Sequence, residues 1–220
     1  MNQSIYAAGK LVARGIFFCT MRVRQLRPEI AERAGGYVLA LTHQGHLDPF
    51  CSATLIRRRM RWLTRKEFYK HRPLGWLLDR TGAIKVNRQG ISAGAIRRAV
   101  ELARAGEVIG ICPEGGTVCG GEAVFRGGAI KRGVCSIAIR AGVPIVPCVM
   151  LGTHALSRVK PWLPFKHARL WVVYGQPIDP PEAKSTRATR DALAKKLSEA
   201  FTKLYREANA TFGFDDGDWP

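Results

Sequence analysis

Residues 37–48, YVLALTHQGHLD, join a short apolar run to a cluster of polar side chains. The run 37–42 is rich in β-forming residues and follows Gly35 and Gly36, so it predicts a buried strand. His43 then lies at the carboxyl end of that strand, which is where open α/β sheets place their ligands. This stretch therefore predicts both a fold class and the position of a site.

His43 and Asp48 have the chemistry of an acid–base pair. An imidazole can take a proton from a hydroxyl near neutral pH, and a carboxylate can hold the ring in the useful tautomer. Residues five positions apart do not share one helix face, so the pair needs a bend, which Gly45 can supply. A local alternative stays open, because Asp48 followed by Pro49 is also a typical capped helix start.

The rest of the chain predicts one folded domain. Its 220 residues are 46% hydrophobic, which is enough for a large core. Strand and helix patterns alternate, which predicts an α/β fold with a mainly parallel central sheet flanked by helices. We divide the chain into an N-terminal amphipathic segment (1–35), the main domain (36–210) and an acidic tail (211–220).

Three polar residues follow the carboxyl ends of predicted strands, namely His43, Arg88 and Glu114. In a parallel sheet these turns converge at one edge, which is stronger support for a site than any one motif. Arg88 can clamp a phosphate bidentately, although its position also fits a surface arginine. Glu114 precedes Gly115 and Gly116, where a missing side chain lets backbone N–H groups approach a ligand.

The net charge of +18 and the isoelectric point of about 10.3 favour anionic partners, which include nucleic acid, anionic lipid and acidic carrier proteins. Residues 4–26 predict an amphipathic helix with basic side chains. Such a helix lies in a membrane interface or packs on the domain as an ordinary helix. No apolar stretch is long enough to span a bilayer, so we expect a cytoplasmic protein attached peripherally to the inner face of a membrane.

Two further patterns carry less weight. The six cysteines include no C-x-x-C pair, which argues against a zinc knuckle, and several lie in apolar segments, which predicts free thiols in a reducing compartment. Residues 90–94 match the G-x-S-x-G nucleophile elbow, but the first aspartate after Ser92 comes later than both remaining histidines. That order does not fit the hydrolase triad, so Ser92 is better explained as a helix cap.

Four blocks carry a resemblance to a known family. Residues 43–48 match an H-x4-D pattern, and further matching blocks follow in order within 66–88, at 112–115 and at 143–147. Together they resemble the glycerolipid acyltransferases, the family of 1-acylglycerol-3-phosphate acyltransferases. The resemblance implies transfer of a fatty acyl group from acyl-CoA or acyl-carrier protein to a lysolipid hydroxyl. It implies no metal, no cofactor and no covalent enzyme intermediate.

The resemblance also implies a role for each matching residue. His43 is the general base and Asp48 orients it, while Arg88 and the turn at Glu114 and Gly115 hold the phosphate end of the acceptor. Lys66, in the second block, is assigned to substrate binding.

The chain departs from the family pattern at several positions. Thr42 and Gly45 stand where the family usually has Asn and Ser, and residues 116–118 lack the usual arginine. Either a nearby cation replaces that arginine, with the candidates Arg126, Lys131 and Arg132, or the acceptor differs and is glycerol-3-phosphate or an aminolipid. A non-enzymatic nucleic-acid-binding module is the other alternative. We expect no nucleic-acid partner, because most aromatic residues lie within apolar segments and not beside basic residues.

Overall fold

A computed structural model describes residues 11, 14, 15, 17, 21–87, 90–118, 120–154 and 168–214. The strands are β1 (Met21–Leu26), β2 (Tyr37–Leu41), β3 (Met60–Arg65), β4 (Ile84–Val86), β5 (Val108–Ile111), β6 (Ile145–Leu151) and β7 (Ala168–Tyr174). The helices are α1 (Asp48–Leu55), α2 (Arg72–Thr81), α3 (Ala93–Arg104), α4 (Gly133–Ala141) and α5 (Arg187–Phe212). Short 3₁₀-helical turns cover Pro28–Glu32, Lys66–Lys70, Gly120–Glu122 and Val124–Arg126.

All seven strands belong to one sheet, in the order β1-β7-β6-β2-β5-β3-β4. Neighbours pair in parallel except β6 and β7, which pair antiparallel. The predicted α/β class with a mainly parallel sheet and flanking helices is therefore confirmed. The strands β2, β5 and β3 lie next to one another with their carboxyl ends on the same edge, which brings the turns after them together.

The surroundings of β2 explain why its sequence is apolar without interruption. Val38 and Ala40 pack into the core under α3, α4 and α5, whereas Leu39 and Leu41 pack into a second core on the opposite face, which α1 covers. Every residue of β2 is fully buried. A strand that is covered on both faces needs a continuous apolar run and not an alternating one.

The expected helix over residues 4–26 is wrong at its end, because residues 21–26 form β1. This strand pairs in parallel with β7, from Met21 opposite Ala168 to Leu26 opposite Val173. Its sequence MRVRQL places charged residues at every second position, with Met21 buried and Arg22 and Arg24 exposed. That is a strand period within a segment whose basic and apolar composition also suits a helix. The described residues that precede β1 are helical, at positions 11, 14, 15 and 17. The other residues of the predicted helix before β1 lie outside the described part of the chain.

At the C-terminus, regular structure extends past residue 211, where the predicted tail begins. The helix α5 continues to Phe212, and the Phe214 ring packs edge-on against Trp171 with 5.0 Å between ring centroids. Residues 211–214 therefore belong to the domain, while 215–220 lie outside the described part of the chain. Within the described residues, the structure contains no helix that has both the length and the hydropathy needed to cross a bilayer.

Candidate active site

The inner loop, residues 42–48, leaves the carboxyl end of β2 and leads into α1. Thr42 anchors its start: the Thr42 Oγ1 accepts a hydrogen bond from the Met150 N–H (2.9 Å) and donates one to the Met150 carbonyl (3.1 Å). Gly45 allows a close approach in the middle, because a Cβ there would lie 3.0 Å from the Thr153 carbonyl oxygen. The inner loop is thus bonded to β6 through Thr42 and lies close to Thr153, just after β6, at Gly45, and these are its two departures from the family pattern.

His43 and Asp48 form the predicted pair. The distance from His43 Nδ1 to Asp48 Oδ2 is 3.0 Å, and the same carboxylate oxygen accepts the Gly45 N–H at 2.9 Å. Asp48 is fully buried, whereas 16% of the His43 side chain is exposed. In the tautomer in which Nδ1–H donates to this carboxylate, Nε2 carries a lone pair that can accept a proton.

The helix-cap alternative for Asp48 does not match the geometry. The helix α1 begins at Asp48 itself, Leu47 occupies the N-cap position, and no side chain caps the helix. The Asp48 carboxylate points back to the inner loop, where its bonds to Gly45 and His43 are made. The Asp48 carboxylate therefore stabilises the bend at Gly45 that the sequence required, through its bonds to Gly45 and His43.

Glu114, which follows β5, joins the inner loop to a more distant turn. Its Oε2 accepts the backbone N–H of His43 at 2.6 Å, and its Oε1 accepts the backbone N–H of Val124 at 3.2 Å. Burial raises the pKa of this carboxyl to about 7, against the lowering effect of those two bonds and of the nearby His43. Both oxygens are thus occupied by the protein backbone, and a role in substrate contact stays a prediction.

A basic rim, formed by Arg65 and Lys131, borders the turn at Gly115. Arg65 Nη2 donates to the Gly115 carbonyl oxygen at 2.7 Å. Gly115 has a φ of 74°, which favours glycine, and a Cβ there would also force the Lys131 side chain to move. Neither cation of the basic rim forms an ion pair with an acidic residue in the described part of the chain.

The other predicted cations differ in their surroundings. Lys66 is exposed and follows Arg65 directly, at the start of a 3₁₀ turn. Arg132 is bound to Asp191 of α5, and the Arg126 guanidinium lies 5.9 Å from the Phe125 ring centroid. Arg88 lies outside the described residues, just after β4, so its predicted phosphate contact is not tested. Of the three proposed replacements for the missing arginine, Lys131 is the one beside Gly115.

Sequence reasoning missed Arg65. The available signal was its position, because Arg65 ends β3 just as His43 and Glu114 follow β2 and β5 at the same edge. It was hidden in a stretch with many other basic residues, where charge alone does not distinguish one arginine from the next.

The cysteines near the site are poor nucleophiles. Burial raises the thiol pKa of Cys112, and the Asp48 and Glu114 carboxylates raise it further. Burial and Asp48 have the same effect on Cys51. A protonated thiol reacts slowly, so burial, with a smaller contribution from the carboxylates, argues against a nucleophilic role for these sulfurs. The four cysteines at 51, 112, 135 and 148 are free, and the described residues contain no cluster of side chains suited to a metal ion.

Comparisons with known proteins point to one family. The sequence profile described as Acyltransferase matches residues 22–151. A 1-acyl-sn-glycerol-3-phosphate acyltransferase of Bacillus subtilis is 25% identical over 77% of this chain and 83% of its own length. A Streptococcus pneumoniae protein of the same name is 23% identical over 81% of this chain and 64% of its own length. The crystal structure of the 1-acyl-sn-glycerophosphate acyltransferase PlsC from Thermotoga maritima shares the fold, with a TM-score of 0.66 at 19% identity over 87% of this chain and 76% of that one.

Proposed function

Because the chain belongs to the Acyltransferase family, we propose that it moves a fatty acyl group from acyl-CoA or acyl-carrier protein to the free hydroxyl of 1-acylglycerol-3-phosphate, giving phosphatidic acid. Family membership makes the chain an acyltransferase and replaces the non-enzymatic alternative. The names of the bacterial relatives support the choice of acceptor. The single observation that carries the mechanism is the 3.0 Å bond between His43 Nδ1 and the buried Asp48.

In the proposed reaction His43 acts as a general base. Its Nε2 takes the proton of the acceptor hydroxyl while the hydroxyl oxygen attacks the thioester carbonyl. When the tetrahedral intermediate collapses, the carbon–sulfur bond breaks and the imidazolium returns the proton to the departing thiolate. Asp48 stabilises the imidazolium between these two steps and holds the ring tautomer. The reaction needs no metal or cofactor, since the acyl donor is a co-substrate.

The phosphate of the acceptor is proposed to bind at the basic rim. Arg65 and Lys131 flank the Gly115 turn, and neither has an acidic partner among the described residues. Guanidinium and ammonium groups are the usual ligands of phosphate. Lys66 and Arg88 are proposed to extend this rim. The alternative acceptor glycerol-3-phosphate also carries a phosphate, whereas an aminolipid would meet unfavourable charge here.

The protein is proposed to act at the inner face of a membrane, to which it binds peripherally. The acyl chain of a lysolipid lies in the bilayer, so the site has to reach the lipid surface. A net charge of +18 favours a surface that contains anionic lipids.

A donor–acceptor screen tests the proposal, with release of free CoA or of holo-carrier protein as the readout. Acceptors are 1-acylglycerol-3-phosphate, glycerol-3-phosphate and a lysolipid without phosphate, each offered with either donor. We expect thiol release with the first acceptor, together with phosphatidic acid as the product. The His43→Ala protein is the matched control for background hydrolysis. Thiol release with the phosphate-free acceptor alone would contradict the proposed acceptor class.

A further inference from the structure

Large apolar side chains are exposed in two segments, one beside Asp48 and the other following Arg65 in the sequence. Leu47 and Phe50 lie at the start of α1, beside Asp48, with 38% and 45% of each residue exposed. The second segment, here called the Trp76 surface, lies on α2 and the 3₁₀ turn before it and consists of Phe68, Leu74, Trp76 and Leu77. Apart from Leu11, no large apolar residue of the described chain outside these two segments is comparably exposed. Exposed apolar groups that are concentrated in this way mark an interaction site.

The helix α2 is unpartnered over most of its surface. Gly75 is its only buried residue, and a Cβ at that position would lie 2.7 Å from the Tyr69 carbonyl oxygen. The helix therefore rests on the 3₁₀ turn through Gly75 and turns Leu74, Trp76 and Leu77 to the outside. A helix of a soluble domain normally places its apolar stripe against the core, so this arrangement is inverted.

The charges around the Trp76 surface indicate what covers it. Four exposed cations lie on the same two elements as the apolar side chains, namely Lys66, Lys70, Arg72 and Arg80. The Arg80 guanidinium lies over the Trp76 ring, 4.8 Å from its centroid. Of the two acidic residues nearby, Asp79 is paired with Lys85 at 3.0 Å. A second copy of the chain placed here in a symmetric contact would bring equal sets of cations together, whereas an anionic lipid surface complements them.

We propose that the Trp76 surface docks on a bilayer that contains anionic lipids, with Trp76 and Leu77 in the interface and the cations at the headgroups. Tryptophan with leucine and basic residues is the composition of segments that lie in the membrane interface. Docking in this position would place the lipid beside the reacting groups, because Lys66 adjoins Arg65 of the basic rim and Leu47 adjoins Asp48. The inference rests on the proposed function in one respect, the lipid nature of the acceptor.

Vesicle co-sedimentation tests the inference with the full chain, using vesicles of phosphatidylcholine alone or mixed with phosphatidylglycerol. Trp76→Ala with Leu77→Ala should lower the partition coefficient on the mixed vesicles at least about tenfold, because it removes the largest apolar area from the interface. Lys70→Glu with Arg72→Glu should lower it at least about tenfold as well. The matched control, Lys195→Glu with Lys196→Glu, changes the same net charge on exposed residues of α5 and should alter binding much less.

Two rival arrangements give different results. If Trp76→Ala with Leu77→Ala binds the mixed vesicles as the wild type does, the inference is overturned. Loss of vesicle binding in the Leu11→Ala variant would then assign membrane docking to the N-terminal segment. A change of oligomeric state in the Trp76 and Leu77 variant, measured by sedimentation without lipid, would identify a second copy as the occupant and would also overturn it. Thermal unfolding of each variant is the folding control, and we expect melting temperatures close to that of the wild type. Because binding is read without acyl transfer, wild-type binding without turnover would reject the proposed function and leave the docking surface standing.

Discussion

His43 of the inner loop and Lys131 of the basic rim lie on the same edge of the sheet, yet their surroundings differ. The His43 ring is held by buried Asp48, and its backbone N–H by Glu114. The Lys131 side chain is exposed and lies beside Gly115. It has no acidic partner among the described residues. The inner loop is thus fixed before a substrate arrives, while the basic rim keeps its charges available. In the proposed function, the inner loop positions the reacting groups and the basic rim binds the acceptor.

The largest effect is expected at the centre of the inner loop. His43→Ala removes the proposed general base and should lower turnover by about 10²–10⁴-fold, the usual contribution of such a group. The acceptor KM should change little, because the basic rim is untouched. Steady-state kinetics and a thermal melt of the purified variant give the measurement and its folding control. Near-normal turnover in a folded variant would reject the mechanism.

Asp48 tests whether positioning of the ring matters separately from the helix start. Asp48→Asn and Asp48→Ser should each lower turnover, by no more than the about 10²–10⁴-fold expected for His43→Ala, because Asp48 acts through the imidazole. Both replacements suit a helix N-terminus, so an effect through capping predicts active enzymes. Full activity of the Asp48→Ser protein would remove Asp48 from the mechanism.

Substitutions in the basic rim should change the acceptor KM and not the turnover. Arg65→Ala or Lys131→Ala removes a charge-assisted bond of about 1.5–3 kcal/mol, so the KM for 1-acylglycerol-3-phosphate should rise roughly 10–150-fold. Turnover at saturating acceptor should remain close to that of the wild type. The matched control is Arg132→Ala, whose guanidinium is bound to Asp191 and not to the site. An equal rise in the donor KM would show that the rim binds the donor.

The last prediction concerns the pH dependence of stability and leaves turnover aside. Burial raises the Glu114 pKa from 4.5 to about 7, so the folded state holds this proton more tightly than the unfolded chain. The free energy of unfolding should therefore fall as the pH rises from about 4.5 to about 7, by about 3 kcal/mol at most, and level off above. Glu114→Gln does not titrate and should lack this slope. Denaturant unfolding of both proteins at about pH 5 and pH 8 measures the difference, and parallel pH profiles would contradict it.

The predictable parts of the molecule are those that local patterns determine. The strand β2 follows from an unbroken apolar run, and the His43–Asp48 pair follows from its spacing and from the glycine between. The strand β1 was missed because MRVRQL is short and merges with a basic apolar stretch, and its pairing with β7 depends on residues far away in the chain.

The role of Glu114 was beyond the reach of sequence for a similar reason. A glutamate before two glycines suggests contact with a ligand, but its bonds to His43 and Val124 depend on how three separate turns meet. The contact of Arg65 with Gly115 likewise forms only because β3 and the turn after β5 lie side by side. Contacts of this kind are set by the order of strands in the sheet, which no single stretch of residues specifies.

The central claim is that His43 activates the acceptor hydroxyl directly, so the acyl group passes from donor to lipid in one displacement. Rapid-quench measurement of CoA release from acyl-CoA, with and without 1-acylglycerol-3-phosphate, tests this most directly. In a direct displacement, CoA release requires the acceptor and shows no burst when the donor is present alone. A burst that is stoichiometric with enzyme in the absence of acceptor, and that disappears in Cys112→Ala, would contradict it, because it would reveal an acyl-enzyme.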